Sequence, residues 1–279
     1  MLITTKNNNN LVTSGEWHVE SYSYQQPLLE SSISIGYDHP STGNNWAVKL
    51  GRLVEADNLK TDNYIDTLET SKRETIILFA TKTYAEESMA IVLIGYQNNG
   101  AGALSLLDAA AQCGVKNFIF SSSCEVYRQP ETHFIPNTIF AALNRQTFTL
   151  FGCDYPTPDG TCIRDCIHVS DFAAAHLLAQ KHLSQGGDRI AANLGHGSGL
   201  SAKKVLNTIE RTTNRCITTH LAPAREGDLS RIDANYRFAK KTLRWNPSRS
   251  SLDRIIKDVV AWHKIKYSQP HSKLDTTCH

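Results

Sequence analysis

Residues 74–80, ETIILFA, turn apolar at Ile76 and stay so through Ala80. A strand with one wet face alternates apolar and polar side chains, whereas a strand covered on both faces reads as a continuous apolar run. The segment therefore predicts a buried strand of a parallel sheet, which requires a helical crossover to follow. Residues 98–123, NNGAGALSLLDAAAQCGVKNFIFSSS, supply it. Leu104, Leu107 and Ala111 recur at helical spacing, Gly114 suits the left-handed residue that ends a helix, and 115–121 reads as the next strand. Strand, helix and strand joined by tight turns specify a right-handed crossover in a parallel sheet.

Further along, residues 148–151 and 189–194 read as strands. Ser201 caps a helix carrying Val205, Leu206 and Ile209 on one face, and Ser251 opens a last helix whose stripe is Leu252, Ile255, Ile256, Val259, Val260 and Trp262. The first 50 residues, with the run Asn7 to Asn10 and scattered Gly and Pro, are poorly specified.

With 41% apolar and 20% charged residues, the 279-residue chain has a globular composition, enough for one large domain or two unequal lobes. A net charge of +2 with scattered Lys and Arg gives no footprint for nucleic acid. The apolar runs fall far short of the about 20 residues that span a bilayer, and the opening MLITTKNNNN has no apolar core of a secretory signal, so the expectation is a cytoplasmic protein without membrane contact. Seven cysteines without a CxxC pair argue for reduced thiols. Cys162, Cys166 and His168 lie close in sequence, but the segment reads as strand and lacks a second ligand cluster, so no metal site is expected.

The most specific string is residues 151–171, FGCDYPTPDGTCIRDCIHVSD. Together with VKNFIFSSS at 115–123 and APAREGD at 222–228, it resembles the UDP-glucose 4-epimerase branch of the extended short-chain dehydrogenase/reductase family. The resemblance covers residues 53–263. It implies an α/β fold: a Rossmann-like doubly wound parallel sheet in residues 1–130, a smaller C-terminal nucleotide-sugar-binding lobe in 131–266, and a polar tail in 267–279. It also implies a UDP-sugar ligand. Arg164 and Arg225 match the arginines that hold the diphosphate, a task suited to the planar guanidinium fork. Asp228 matches the acceptor for the uridine ribose hydroxyls, Phe151 lies where the uracil packs, and Asn137 matches an amide contact to the nucleotide-sugar. Cys166 replaces the tyrosine expected after Arg164 and Asp165.

The resemblance implies NAD as cofactor. A dinucleotide fold needs glycines after its first strand so that the backbone can approach the pyrophosphate at a helix N-terminus. Here residues 11–21, LVTSGEWHVES, align with LVTGGxGxIGS, placing Ser14, Trp17 and Glu20 on the three glycines. An indole and a carboxylate there crowd and repel the pyrophosphate. Other cofactor positions are kept. Asp38 lies 25 residues beyond Thr13, near the about 20-residue interval at which an acid bonds the adenosine ribose. Asp57 resembles the residue near the adenine, Asn99 a further contact, and Phe79 and Ala80 the strand end beneath the dinucleotide, with Thr81 in place of a glycine.

Catalysis in the family uses a tyrosine, its pKa lowered by a lysine, to take the 4-hydroxyl proton of the sugar while hydride passes to NAD. An unassisted phenol titrates near ~10 and is a poor base at neutral pH. Ser123 matches the serine that hydrogen-bonds the reacting oxygen. The YxxxK helix should follow it, but after Tyr127 the chain runs RQPETHFIPN directly into the later element. The literal match, Tyr236 to Lys240, lies in a different string, and Tyr127 is the nearest remaining phenol. Two functional readings result: an impaired epimerase with a substitute base, or a non-catalytic UDP-sugar-binding remnant. Loss of a helix and the strand after it uncovers a sheet edge, so the expectation is a marginal monomer or association through that edge, as in a homodimer.

Overall fold

The computed structural model describes residues 9–13, 33–38, 52–57, 59–79, 100–122, 134–225 and 227–268. In chain order the elements begin β1 (Asn9–Thr13), β2 (Ile33–Asp38), β3 (Arg52–Glu55), α1 (Thr61–Ser71), β4 (Thr75–Leu78), α2 (Gly102–Gln112) and β5 (Asn117–Phe120). They continue α3 (Phe134–Asn144), β6 (Phe148–Phe151), β7 (Ile163–Arg164), α4 (Val169–Ser184), β8 (Leu200–Ser201) and α5 (Ala202–Thr213). The last are β9 (Thr219–Ala222), β10 (Arg231–Ile232), α6 (Arg237–Leu243) and α7 (Leu252–Ser268). They form two compact units, one of Met1–Pro130, Val169–Ala192 and Ala239–Trp245, the other of Glu131–His168, Asn193–Phe238 and Asn246–His279.

In the first unit five strands pair in the order β3-β2-β1-β4-β5, all parallel. The chain winds outward from the central β1, then returns to lay β4 on its other side, which is the doubly wound arrangement. Leu11, Ile35, Ile76 and Leu78 point to one face and pack with Tyr64, Leu68, Leu106 and Ala109 of α1 and α2. Val12, Ile77 and Phe79 point to the other, where Phe172 of α4 meets them. The period of two along β1 and β4 thus feeds two separate cores, and this is why 74–80 shows no polar alternation. Below α4, buried Asn10 and Gln180 exchange a reciprocal pair of amide hydrogen bonds, so neither polar group is left unsatisfied.

Two expectations need correction here. The core face of α2 is Gly102, Leu106, Ala109 and Ala110, whereas Leu104 (68% exposed) and Leu107 (44%) stand in solvent with Ala111. The helix is apolar on more than one side, and periodicity cannot tell which stripe meets the sheet. Residues 189–194 form no strand, since no described segment pairs with them. An apolar run becomes a strand only where a neighbour completes its ladder. The strand expected at 115–121 is β5, hydrogen-bonded among the described residues to β4 alone and ending on Phe120, which is 57% exposed.

The second unit has the parallel pair β6 and β9, and a three-stranded sheet in which β7 lies between β10 and β8. Helices α3, α5 and α7 share a core of Ile139, Leu206, Ile209, Ile256 and Val260. The Ser201 hydroxyl accepts the Lys204 N–H at 3.2 Å and caps α5 as expected, with Val205, Leu206 and Ile209 buried behind it. Pro136 sits in the first turn of α3, where a missing N–H breaks no helical bond.

Candidate functional site

β6 delivers Phe151 to the edge of the second unit, and Gly152 turns the chain there at φ +70°. A Cβ on Gly152 would meet the Tyr155 ring at 2.3 Å, so both the backbone angle and the close approach require glycine. The Tyr155 phenol donates to Asp228 Oδ2 at 3.4 Å. Asp228 is held by a turn in which its N–H donates to the Arg225 carbonyl at 3.1 Å, with Gly227 at φ +84°. Arg225 lays its guanidinium over the Phe151 ring, 4.1 Å from the centroid. From β7, Arg164 Nη1 donates to the carbonyls of Ile163 and Leu229, each at 2.9 Å. The structure therefore gathers Phe151, Arg164, Arg225 and Asp228 from strings separated by up to 77 positions of sequence. Asn137 is exposed on α3.

Burial, then the Asp228 carboxylate, pushes the Tyr155 phenol up to about 12, against a smaller lowering by Arg164. A phenol so raised stays protonated at neutral pH and serves as a donor to Asp228, not as a base. Sequence reasoning passed over Tyr155 although it lies inside the most specific string, because its partner is 73 residues away and no local spacing announces the pair.

The rest of that string builds the platform. Asp159 accepts the N–H and hydroxyl of Thr161 and the Ser201 hydroxyl. Burial raises its carboxyl pKa, but those hydrogen bonds and Lys203 outweigh it and leave the carboxyl below its usual value. Asp165 accepts backbone N–H groups of His196 (3.0 Å), Gly197 (2.9 Å) and Ala234 (3.2 Å). His168 Nε2 is 3.0 Å from Asp258 Oδ2, which also accepts from Arg254. That imidazole ties the platform to α7. The Tyr236 ring packs against Gly197, where a Cβ would meet it at 2.6 Å, so the literal YxxxK match is a packing residue followed by an exposed Lys240.

In the first unit the carboxyl ends of β1 and β4 flank the point where the strand order reverses, the position at which doubly wound sheets bind their ligands. Buried Thr13 accepts the Phe79 N–H at 3.1 Å and staples these two ends together. Asp38 ends β2 in register with Glu55. Asp57, two residues past β3, accepts the Leu59 N–H through Oδ1 at 3.0 Å, and its carbonyl accepts the Tyr37 phenol at 3.4 Å. The Phe79 ring turns into the core beside Phe172 and His176, leaving its backbone at the strand end. Asp38 as the last residue of β2, Asp57 past the neighbouring β3 and the apolar strand end at Phe79 are residue types that fit an adenosine dinucleotide, acids to accept from hydroxyls and an apolar floor. Ser14, Trp17, Glu20, Ala80, Asn99, Ser123 and Tyr127 lie outside the described residues.

The profile of the NAD dependent epimerase/dehydratase family matches residues 32–132 and, in a second piece, 128–195. The chain belongs to that family. Over nearly its whole length it is similar to the UDP-glucose 4-epimerases of Rhizobium meliloti (strain 1021), at 31% identity over 92% of this chain and 98% of the relative, and of Rhizobium leguminosarum bv. trifolii, at 31% over 91% and 96%. Among solved structures it is similar to the UDP-glucose 4-epimerase from Brucella ovis in complex with NAD, with a TM-score of 0.88 at 31% identity over 91% of this chain and 98% of that one. A second UDP-glucose 4-epimerase structure superposes with a TM-score of 0.89 at 28% identity, over 93% and 98%. The fold is thus the Rossmann-like α/β fold that the motifs imply. The alignment with the Rhizobium meliloti relative runs over 321 positions, more than the 279 residues present here, so part of that relative has no counterpart in this chain. Among the described residues no helix is long and apolar enough to cross a membrane.

Proposed function

We propose that this chain is a cytoplasmic UDP-sugar-binding protein of the UDP-glucose 4-epimerase type whose epimerase activity is impaired. The observation that carries the reading is the cluster of Phe151, Arg164, Arg225 and Asp228, with Tyr155 bonded to Asp228. Arg164 and Arg225 provide cationic forks for a diphosphate, Asp228 an acceptor for ribose hydroxyls, and Phe151 a ring face for the base, with Asn137 as a further amide contact. The ancestral reaction is the interconversion of UDP-glucose and UDP-galactose in galactose metabolism. NAD, when bound, supplies the hydride acceptor for the sugar. Asp38, Asp57, Asn99 and the strand end at Phe79 and Ala80 are the residues that would hold it, and Ser123 would hold the reacting oxygen.

Impairment follows from what the sequence lacks. No YxxxK pair stands between Ser123 and the packing residue Tyr236, and the two pieces of the family match meet at 128–132, where the tyrosine-lysine helix should begin. Loss of a general base costs 10²–10⁴-fold, about the whole contribution of such a group. Trp17 and Glu20 compound it by disfavouring the pyrophosphate. Titration calorimetry of UDP against purified chain, alongside a coupled assay of UDP-galactose conversion, tests the reading. UDP binding with turnover at least a hundredfold below a full-length epimerase supports it. No UDP affinity in folded protein, or full turnover, refutes it.

Among the described residues β5 is the last strand of its sheet and Leu104 and Leu107 face solvent, features that favour pairing of two copies, because an edge strand and exposed apolar side chains are each a template for another chain.

A further inference from the structure

Arg225 and Phe151 support a further step, which rests on the nucleotide reading above and concerns how the same site is regulated. The Phe151 ring carries the Arg225 guanidinium 4.1 Å from its centroid. A stacked aromatic partner needs the same space, at centroid separations of about 4.5–7 Å. One ring face therefore cannot hold a guanidinium and a pyrimidine together. Phe151 is half-buried and Arg225 exposed, so the guanidinium on the ring is reached from solvent. The turn there is closed by main-chain atoms, the Asp228 N–H and the Arg225 carbonyl, so its hydrogen bond does not involve the guanidinium. Among the described residues no carboxylate forms an ion pair with Arg225.

We propose that Phe151 holds Arg225 in reserve in the ligand-free chain, and that an arriving pyrimidine base displaces the guanidinium toward the diphosphate. Base and phosphate recognition are then coupled through one ring. The ligand class selected is a pyrimidine nucleoside diphosphate. A diphosphate without a base must pull Arg225 off the ring with no stack to replace the lost contact, and so binds more weakly than its charge alone dictates.

The test is titration calorimetry of UDP and of inorganic pyrophosphate against the full chain and five variants. Phe151→Leu is expected to weaken UDP but to tighten pyrophosphate about two- to fivefold, the worth of an exposed cation–π contact. Phe151→Tyr keeps the ring and should leave pyrophosphate affinity at the wild-type value. Adding Arg225→Ala to Phe151→Leu should give the pyrophosphate affinity of Arg225→Ala alone. Should Phe151→Leu fail to fold by far-UV circular dichroism, Arg225→Lys decides, since a lysine keeps the charge and stacks more weakly: the ratio of pyrophosphate to UDP affinity should rise. UDP binding by the wild type without the pyrophosphate gain, or with an unchanged ratio for Arg225→Lys, overturns the coupling alone. No UDP binding by folded wild-type protein overturns the nucleotide reading and the coupling with it.

Discussion

Tyr155 donates its phenolic hydrogen to Asp228 Oδ2 at 3.4 Å, across 73 residues of sequence, and packs its ring where any side chain on Gly152 would stand. The pair fixes the carboxylate beside Arg225 and Phe151, and it makes the phenol a structural donor. Tyr155→Phe is therefore expected to weaken UDP by about 0.5–1.5 kcal/mol, the net worth of one long hydrogen bond, without altering the fold. The folded pKa of about 12 lies above the ordinary phenol value of 10.0. The stability linked to this phenol is thus fully present below pH 10 and is lost as pH rises through 12. Alkaline unfolding followed by circular dichroism should be shifted upward in Tyr155→Phe, and an unshifted curve would contradict the assignment.

Cofactor content is the second expectation. Trp17 and Glu20 stand where a dinucleotide loop needs glycine, so denatured extracts of purified protein should hold little NAD(H). A near-stoichiometric yield by chromatography would show that the loop has found another way to admit the pyrophosphate.

UDP should bind more tightly than NAD, because the cluster at Phe151 is complete while the glycine loop is not. Arg164→Ala should cost UDP about 1.5–3 kcal/mol, the range for a charge-assisted hydrogen bond, and should be the most damaging single change in the cluster. Calorimetry in which Asp228→Asn costs more would reassign the main anchor.

His176 sets an acid limit on stability. Its ring lies 4.8 Å from Phe79 and 4.6 Å from Phe172, and Nδ1 meets the Phe172 carbonyl at 2.9 Å. Burial is the larger influence and lowers its pKa below the ordinary imidazole value of 6.5, against the raising effect of that carbonyl. The unfolded chain then binds the proton more readily, so stability is full above pH 6.5 and falls as pH drops through the folded value. His176→Gln should flatten that part of the stability curve in urea titrations between pH 5 and pH 7.

Association is the last expectation. The β5 edge and the exposed Leu104 and Leu107 predict either a marginal monomer or a dimer that covers them. Leu104→Glu with Leu107→Glu should shift sedimentation toward monomer without lowering UDP affinity. A cooperative, high-melting wild-type monomer without ligand would show that the remaining elements close the core unaided.

A buried strand of a parallel sheet was legible in residues 74–80, since a strand covered on both faces lacks polar alternation, and β4 is buried along its whole length; the doubly wound class came from the resemblance. The α5 cap, the α7 stripe and the turn at Gly114 were legible for the same reason: local geometry demands particular residue types at particular offsets. Phe151, Arg164, Arg225 and Asp228 were singled out through motif strings, not through physics, as they come from separate parts of the chain.

What the sequence determined by itself is periodicity, capping and the presence or absence of chemical groups, including the want of a tyrosine-lysine pair in the residues directly after Ser123. Tertiary structure decided which apolar stripe of α2 faces the sheet, that 189–194 finds no strand partner, that Phe79 turns inward, and that Tyr155 serves Asp228. Each depends on a neighbour far away in sequence, and a side chain's burial, bonding and pKa are properties of the neighbours it meets, which local spacing does not encode.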